Sequence, residues 1–352
     1  AYSTSLDGEW TVKTLWGGTA ADGGNSYSSI TCITYANGYW VVGGCKHYSA
    51  SDGSTGGHAT IAYTTSLSGE WTTKDLWSGS YLNYTAMLAC ITYANGYWVV
   101  GGDRYASSKV YAVIAYSVSP DGEWTAKDLW SGASRGSDVN NRVACVTYAN
   151  GYWVVGGRYY VYSSTSSNIK SGSRIAYAVS PDGEWTAKDL WSKTGILKDI
   201  IYADGYWAAA GEFYTDDSSS TIYGIAYSTS LDGEWTAKNL ITGSYQMCTR
   251  IAYANGCWVV GGEHYDSTGC AVIAYATSLS GEWTTKDLWS GSNGSWFSMI
   301  RDIIYENNNF VVVGASWDNS IYYGCICYSG EGAELPTITT DGAFNYIRAK
   351  EE

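Results

Sequence analysis

The sequence predicts an all-β fold, a β-propeller of four-stranded antiparallel blades, on three observations. An internal repeat of roughly 50–60 residues runs nearly from end to end. Each copy holds two β-rich hairpins folded about a glycine turn. The composition is aromatic and glycine-rich, with 33 Tyr, 18 Trp and 42 Gly against 3 Pro and 3 Met in 352 residues. That usage suits strands and tight turns and leaves no long helix-forming run.

The first hairpin of the unit reads Ile33-Thr-Tyr-Ala-Asn-Gly-Tyr-Trp-Val-Val-Gly-Gly44. It recurs from Ile91, Val146, Ile200 and Ile251, and in weaker form over 303–314. Asn-Gly or Asp-Gly between two such runs is the strongest short hairpin signal, because both residues tolerate positive φ. The second hairpin reads Ile61-Ala-Tyr-Thr-Thr-Ser-Leu-Ser-Gly-Glu-Trp-Thr-Thr-Lys-Asp-Leu-Trp77. It recurs from Ala1, Ile114, Ile175, Ile225 and Ile273. Taken in order, the two hairpins make a four-stranded meander of about 50 residues, the size of a propeller blade. A parallel β-helix would use shorter coils without hairpins. In Trp124-Thr-Ala-Lys-Asp-Leu-Trp130 the two Trp point one way and Leu129 the other, as a sheet covered on both faces requires.

One domain over 1–352 is expected. Residues 31–330 supply six repeats, and 1–17 supply the outer two strands of a closing blade. The hairpin at 335–350, with its Asp341-Gly turn, supplies the inner two. Pairing of the two termini would then close a ring of seven blades and remove exposed edges. Only 11 residues separate Gly330 from Asp341, too few for a full outer strand as well. The sixth blade is therefore expected to be short, and six blades with a C-terminal appendage is the alternative. The lysine repeated on the outer strand (Lys13, Lys74, Lys127, Lys188, Lys238, Lys286) reads as protection of a sheet edge against pairing.

Twenty basic against 33 acidic residues leave a net charge of −13 and a pI near 4.6. Such a chain repels phosphate backbones and anionic lipid, so neither nucleic-acid binding nor membrane insertion is expected. Nine cysteines include no Cys-x-x-Cys pair. Cys32, Cys90 and Cys145 recur at one repeat position and read as buried apolar residues. Cys325-Ile-Cys327 places two thiols on one strand face, a weak metal signal, and the three His form no cluster with cysteine. No metal and no cofactor are expected. With no secretory signal before Ala1, synthesis in a reducing cytoplasm without export is the expectation.

Ser5-Leu-Asp-Gly-Glu-Trp10, Ser119-Pro-Asp-Gly-Glu-Trp124 and their copies resemble a contracted Asp-box, the turn motif of sialidase-type (BNR) propellers. Ser68 and Ser280 stand in place of the Asp. The whole repeat is similar to Asp-box-like propellers of bacteriophage tail and tail-fibre proteins. The resemblance implies a propeller carried on a virion surface, at a tail, fibre or capsid. It would be made in the host cytoplasm, be present in many copies and contact other virion proteins. In that family the Asp-box is a structural turn away from the active site. Here Asp121 is expected to accept backbone N–H groups and Gly122 to take positive φ, with Trp10 and Trp124 packing between blades.

A sialidase-like catalyst would need three converging Arg. Arg142, Arg250 and Arg301 open inner strands, but Asp199 and Asp302 occupy the position equivalent to Arg250, so the expected channel entrance is mixed rather than cationic. Asp216-Asp217 reads as a solvated pair. With no phosphate loop and no nucleophile elbow, the chain is expected to be no enzyme. Variation between copies concentrates in the connections after the second and fourth strands, which leave a blade at one end. There the candidate ligand contacts are His47, Tyr48, Arg104, Tyr105, Arg158, Tyr159, Phe213, Tyr214, His264, Tyr265, Trp296 and Trp317, supported by Tyr27, Tyr81, Tyr84, Tyr245 and Phe297. Aromatic faces stack on sugar C–H groups while neighbouring polar groups bond hydroxyls, so the expected partner is a host surface glycan. A purely structural or decoration protein of a virion is the alternative, as is a free-standing bacterial lectin in the cytoplasm or at the cell surface. A glycosidase comes last.

Overall fold

The computed structural model describes residues 1–3, 9–16, 28–49, 55–80, 86–106, 109–133, 141–161, 170–191, 195–214, 221–241, 245–265, 268–290, 298–318 and 321–329. Every regular element among them is a strand, and no helix is long and apolar enough to cross a membrane. The chain divides into two compact units, Ala1–Lys188 and Asp189–Glu352.

The first unit contains three four-stranded sheets. One comprises β1 (Ser29–Ala36), β2 (Tyr39–Ser49), β3 (Thr55–Thr64) and β4 (Thr72–Ser80). The next comprises β5 (Met87–Ala94), β6 (Tyr97–Ala106), β7 (Lys109–Ser117) and β8 (Thr125–Ala133). The third comprises β9 (Arg142–Ala149), β10 (Tyr152–Val161), β11 (Lys170–Ala178) and β12 (Thr186–Asp189). A bridge between Tyr2 and Thr11 precedes them. The second unit contains β13 (Ile196–Ala203), β14 (Tyr206–Tyr214), β15 (Thr221–Ser228) and β16 (Thr236–Asn239). Then come β17 (Tyr245–Ala254), β18 (Cys257–Tyr265), β19 (Gly269–Ala276) and β20 (Thr284–Ser290). A three-stranded sheet of β21 (Ser298–Glu306), β22 (Asn309–Asp318) and β23 (Ile321–Tyr328) ends it. Each sheet is an antiparallel meander in chain order, the form of a propeller blade. The described residues thus hold six blades, the last without an outer strand. The segments 335–350 and Asp216-Asp217 lie outside the described residues.

Turn chemistry follows the sequence closely. Asn37, Asn95, Asn150, Asp204 and Asn255 have φ of 47–50°, and the glycine after each has φ of 74–80°, the geometry of a two-residue hairpin. In the sixth blade Asn307 and Asn308 adopt the same signs without glycine. Behind each turn a Tyr and a Trp meet across the two strands, as in Tyr93–Trp98 at 5.0 Å between ring centroids; Phe310 replaces the Trp in the last blade.

Both faces of an interior blade are covered, because alternate residues of a strand leave on opposite sides. On β6, Trp98 and Val100 pack against Val41, Ile61 and Trp77 of the preceding sheet. Val99 between them packs toward Val143, Trp153 and Val155 of the following one. Each such side chain contributes about 1.5–3 kcal/mol on leaving water. The second unit repeats the scheme, with Trp258 and Val260 on one face of β18 and Val259 on the other.

Two expectations are corrected here. The repeated lysine does not guard an edge. It reaches the next blade and donates to carbonyls in that blade's outer turn. Lys13 Nζ lies 2.5 Å from Gly69 O, and Lys74, Lys127 and Lys238 bond Gly122, Gly183 and Gly281 in the same way. The Trp closing the outer strand does likewise. Trp77 Nε1 donates to Asp103 O at 2.9 Å and Trp130 Nε1 to Arg158 O at 3.0 Å. The turn itself differs too. Gly122 is not among the residues with positive φ; its N–H donates to Ser119 O at 3.1 Å, and Asp121 accepts from the Ser119 hydroxyl.

Candidate functional site

In every blade the second strand carries a glycine opposite a bulge in the first. The register slips by one residue there, leaving Thr31, Ala89, Ala144, Lys198, Thr249 and Arg301 as the extra residues. A bulge re-aims the side chain it carries. Thr249 uses this to donate to Gly261 O at 3.1 Å and to Ile300 O in the next sheet at 2.7 Å.

One residue past that glycine the second strand places Cys45, Asp103, Arg158, Glu212, Glu263 or Ala315, at the blade end where the dissimilar connections leave. In the second unit this puts Glu212 on β14 and Glu263 on β18 at matching positions of adjacent sheets. The bulge residues Lys198 and Arg301 act on the same carboxyl. The Glu263 carboxyl is raised to about 7, chiefly by burial; Arg301 and Lys198 pull against the rise and the Glu212 carboxylate adds to it. Among the described residues Glu263 Oε2 accepts no hydrogen bond. Asp199 and Arg250 are engaged nearby. Asp199 accepts the N–H of Ile200 at 2.9 Å and of Ile251 at 3.1 Å, and Arg250 Nε bonds Asp302 at 3.2 Å. Arg142 bonds Asp103 at 2.6 Å in the first unit. Arg142 and Arg250 are thus each committed to an Asp.

The expected aromatic contacts fare differently. Tyr105, Tyr159 and Phe213 are 6%, 5% and 0% exposed, so their rings fill the blade interior and have no face to offer a sugar. Phe213 meets Trp191 at 4.8 Å, and the Arg174 guanidinium lies 4.1 Å over the Tyr159 ring. Arg104 is half-buried and bonds Asp128 through Nε at 3.0 Å and Nη2 at 2.6 Å. Arg158 is also half-buried, as are His264 and Tyr265 on β18. His47 and Tyr48 lie in β2, Tyr214 in β14, Tyr245 in β17 and Trp317 in β22, with side chains outside those described. Trp296, Tyr27, Tyr81, Tyr84 and Phe297 lie outside the described residues. Sequence reasoning passed over Glu212 and Glu263 as polar background. The available signal was that one position in a monotonous repeat keeps changing its chemistry.

No protein-family model matches the chain, and no curated protein matches it. Solved structures do. Trypanosoma rangeli sialidase in complex with sialic acid is 12% identical over 86% of this chain and 54% of its own, with a TM-score of 0.44. Xylan β-1,4-xylosidase from Bacillus halodurans is 12% identical over 64% and 48%, with a TM-score of 0.36. Exo-β-1,3-galactanase from Phanerochaete chrysosporium is 17% identical over 67% and 59%, with a TM-score of 0.40. The chain spans about half the length of the first of these structures. At this level the likeness is one of fold, consistent with a sialidase-type propeller, and none of the three is a phage protein by name. The expectation of a chain that is no enzyme is corrected: these structures are enzymes by name.

Proposed function

We propose that the protein takes a glycan at the loop end of its blades and cleaves a glycosidic bond between Glu212 and Glu263. The observation that supports this is placement. Two carboxylates hold matching positions in adjacent sheets, at the end that carries the dissimilar connections, and two bulge-borne cations act on one of them, Glu263. In such a pair one carboxyl gives its proton to the leaving oxygen. The other, ionised, activates water or attacks the sugar carbon. Lys198 and Arg301 pull the Glu263 carboxyl toward its charged form against its burial. A particle surface bearing many copies, the setting implied by the sequence resemblance, would multiply weak single-site capture.

The test is turnover of a panel of neutral and acidic oligosaccharides and aryl glycosides. Loss of about 100-fold or more in both Glu263→Gln and Glu212→Gln, with unchanged unfolding midpoints, is expected. Equal turnover in the variants overturns the assignment, and binding without turnover by the wild-type chain overturns cleavage.

A further inference from the structure

Three blades place a cationic or basic side chain beside the Asp of the repeated Lys-Asp-Leu segment, and each answers that Asp differently. In the second blade Arg104 forks onto Asp128, opposite Tyr111 on the neighbouring strand. In the first, His58 on β3 lies 3.7 Å from Asp75. In the blade built from β17–β20 the Arg and Tyr positions hold His264 and Cys270, which face each other across β18 and β19, while Asp287 reaches in from β20. His264 Nε2 is 2.9 Å from Asp287 Oδ1, and the three donor atoms lie within 4.8 Å of one another.

We propose that His264, Cys270 and Asp287 form a binding site for a borderline-soft divalent cation of the zinc class. The donor set is the reason. An Arg–Asp pair satisfies itself; imidazole, thiolate and carboxylate on three adjacent strands are ligands that zinc takes together. A tetrahedral ion with Zn–N and Zn–O near 2.0–2.2 Å and Zn–S near 2.3 Å sets its ligand atoms roughly 3.3–3.8 Å apart. His264 and Asp287 would part slightly and Cys270 close in, by side-chain motion alone. The Cys270 thiol, which donates to Thr268 O at 3.9 Å, would exchange that weak bond for the metal. The Asp287 side chain is 60% exposed and His264 15%, so the fourth position opens to water and an exchangeable ion. Glu263 and His264 are sequence neighbours on one strand and leave opposite faces. The site is therefore separate from the carboxylate pair, and it corrects the expectation that no His joins a Cys.

Cobalt(II) added to the purified chain reads the site directly. One equivalent should produce a near-ultraviolet thiolate-to-cobalt band and the visible bands of a tetrahedral ion, both displaced by zinc. Cys270→Ser should abolish the thiolate band, and Asp287→Asn should weaken binding about tenfold or more. Cys325→Ser should leave both unchanged. Zinc should also slow alkylation of Cys270 in the wild-type chain, followed by mass spectrometry, which needs no variant to fold. A band that survives in Cys270→Ser, or alkylation at the same rate with and without zinc, overturns the proposal.

Discussion

Asp103 and Glu263 occupy the same position in their blades, one residue past the glycine, and both give up water there. Asp103 is answered by Arg142 at 2.6 Å, yet burial outweighs that pull and holds its carboxyl above the ordinary range. A carboxyl raised on folding favours its neutral form. It costs nothing below its unfolded value near 4, and stability falls as pH climbs from there through the folded value. Arg142 limits that fall. Arg142→Met should therefore lose about 2 kcal/mol at pH 8, less than a fully buried pair would lose because Arg142 is one-third exposed. At pH 3, where Asp103 is neutral in both chains, the loss should shrink toward zero. Urea titrations at the two pH values measure it, and an equal deficit at both would show that packing, not charge, is what Arg142 supplies.

The bulge explains why glycine is repeated, and it separates two kinds of glycine within one blade. A Cβ on Gly102 would sit 1.9 Å from Met87 O, inside the backbone of the paired strand, whereas one on Gly96 would meet nothing within 4 Å. Gly96 is needed only for its φ of 80°. Gly96→Ala should cost about 1–2 kcal/mol, the penalty of a left-handed residue. Gly102→Ala should cost at least about 3 kcal/mol, because strand pairing must break to admit it. Thermal unfolding of both variants checks the order; reversed values would mean that the bulge is not rigid. The hairpin turns were legible because Asn-Gly states its own geometry locally. The lysine was not. Its partner is a carbonyl some 40–60 residues away on the next blade, and nothing in a strand's own sequence says what lies beside it. The bulges were hidden for the same reason, since a slip of register exists only once two strands are paired. Tyr105, Tyr159 and Phe213 misled because the paired strands run on past the glycines, so residues read as loop belong to sheet and their rings turn inward.

Across the whole chain the site is written as departure from a repeat. What recurs six times holds blades together; what changes at a fixed position, from Cys45 through Asp103 to Glu263, is where the proposed chemistry is placed. That contrast was visible in the sequence, but the grouping of Lys198, Glu212, Glu263 and Arg301 required the fold. Charge adds a final consequence at this scale. The net charge of −13 repels an anionic polysaccharide at long range, while Lys198 and Arg301 act only at close quarters. The Debye length is about 30 Å at 0.01 M salt and about 8 Å at 0.15 M. Raising salt between those values therefore screens the repulsion of the whole chain before it touches contacts inside the site. The association rate constant for a polyuronate should rise several-fold over that range, and that for a neutral glucan should not move. Stopped-flow or surface-resonance kinetics on the two polymers would decide it. A polyuronate rate that falls with salt would mean that the local cations, not the acidic chain around them, govern the approach of a ligand.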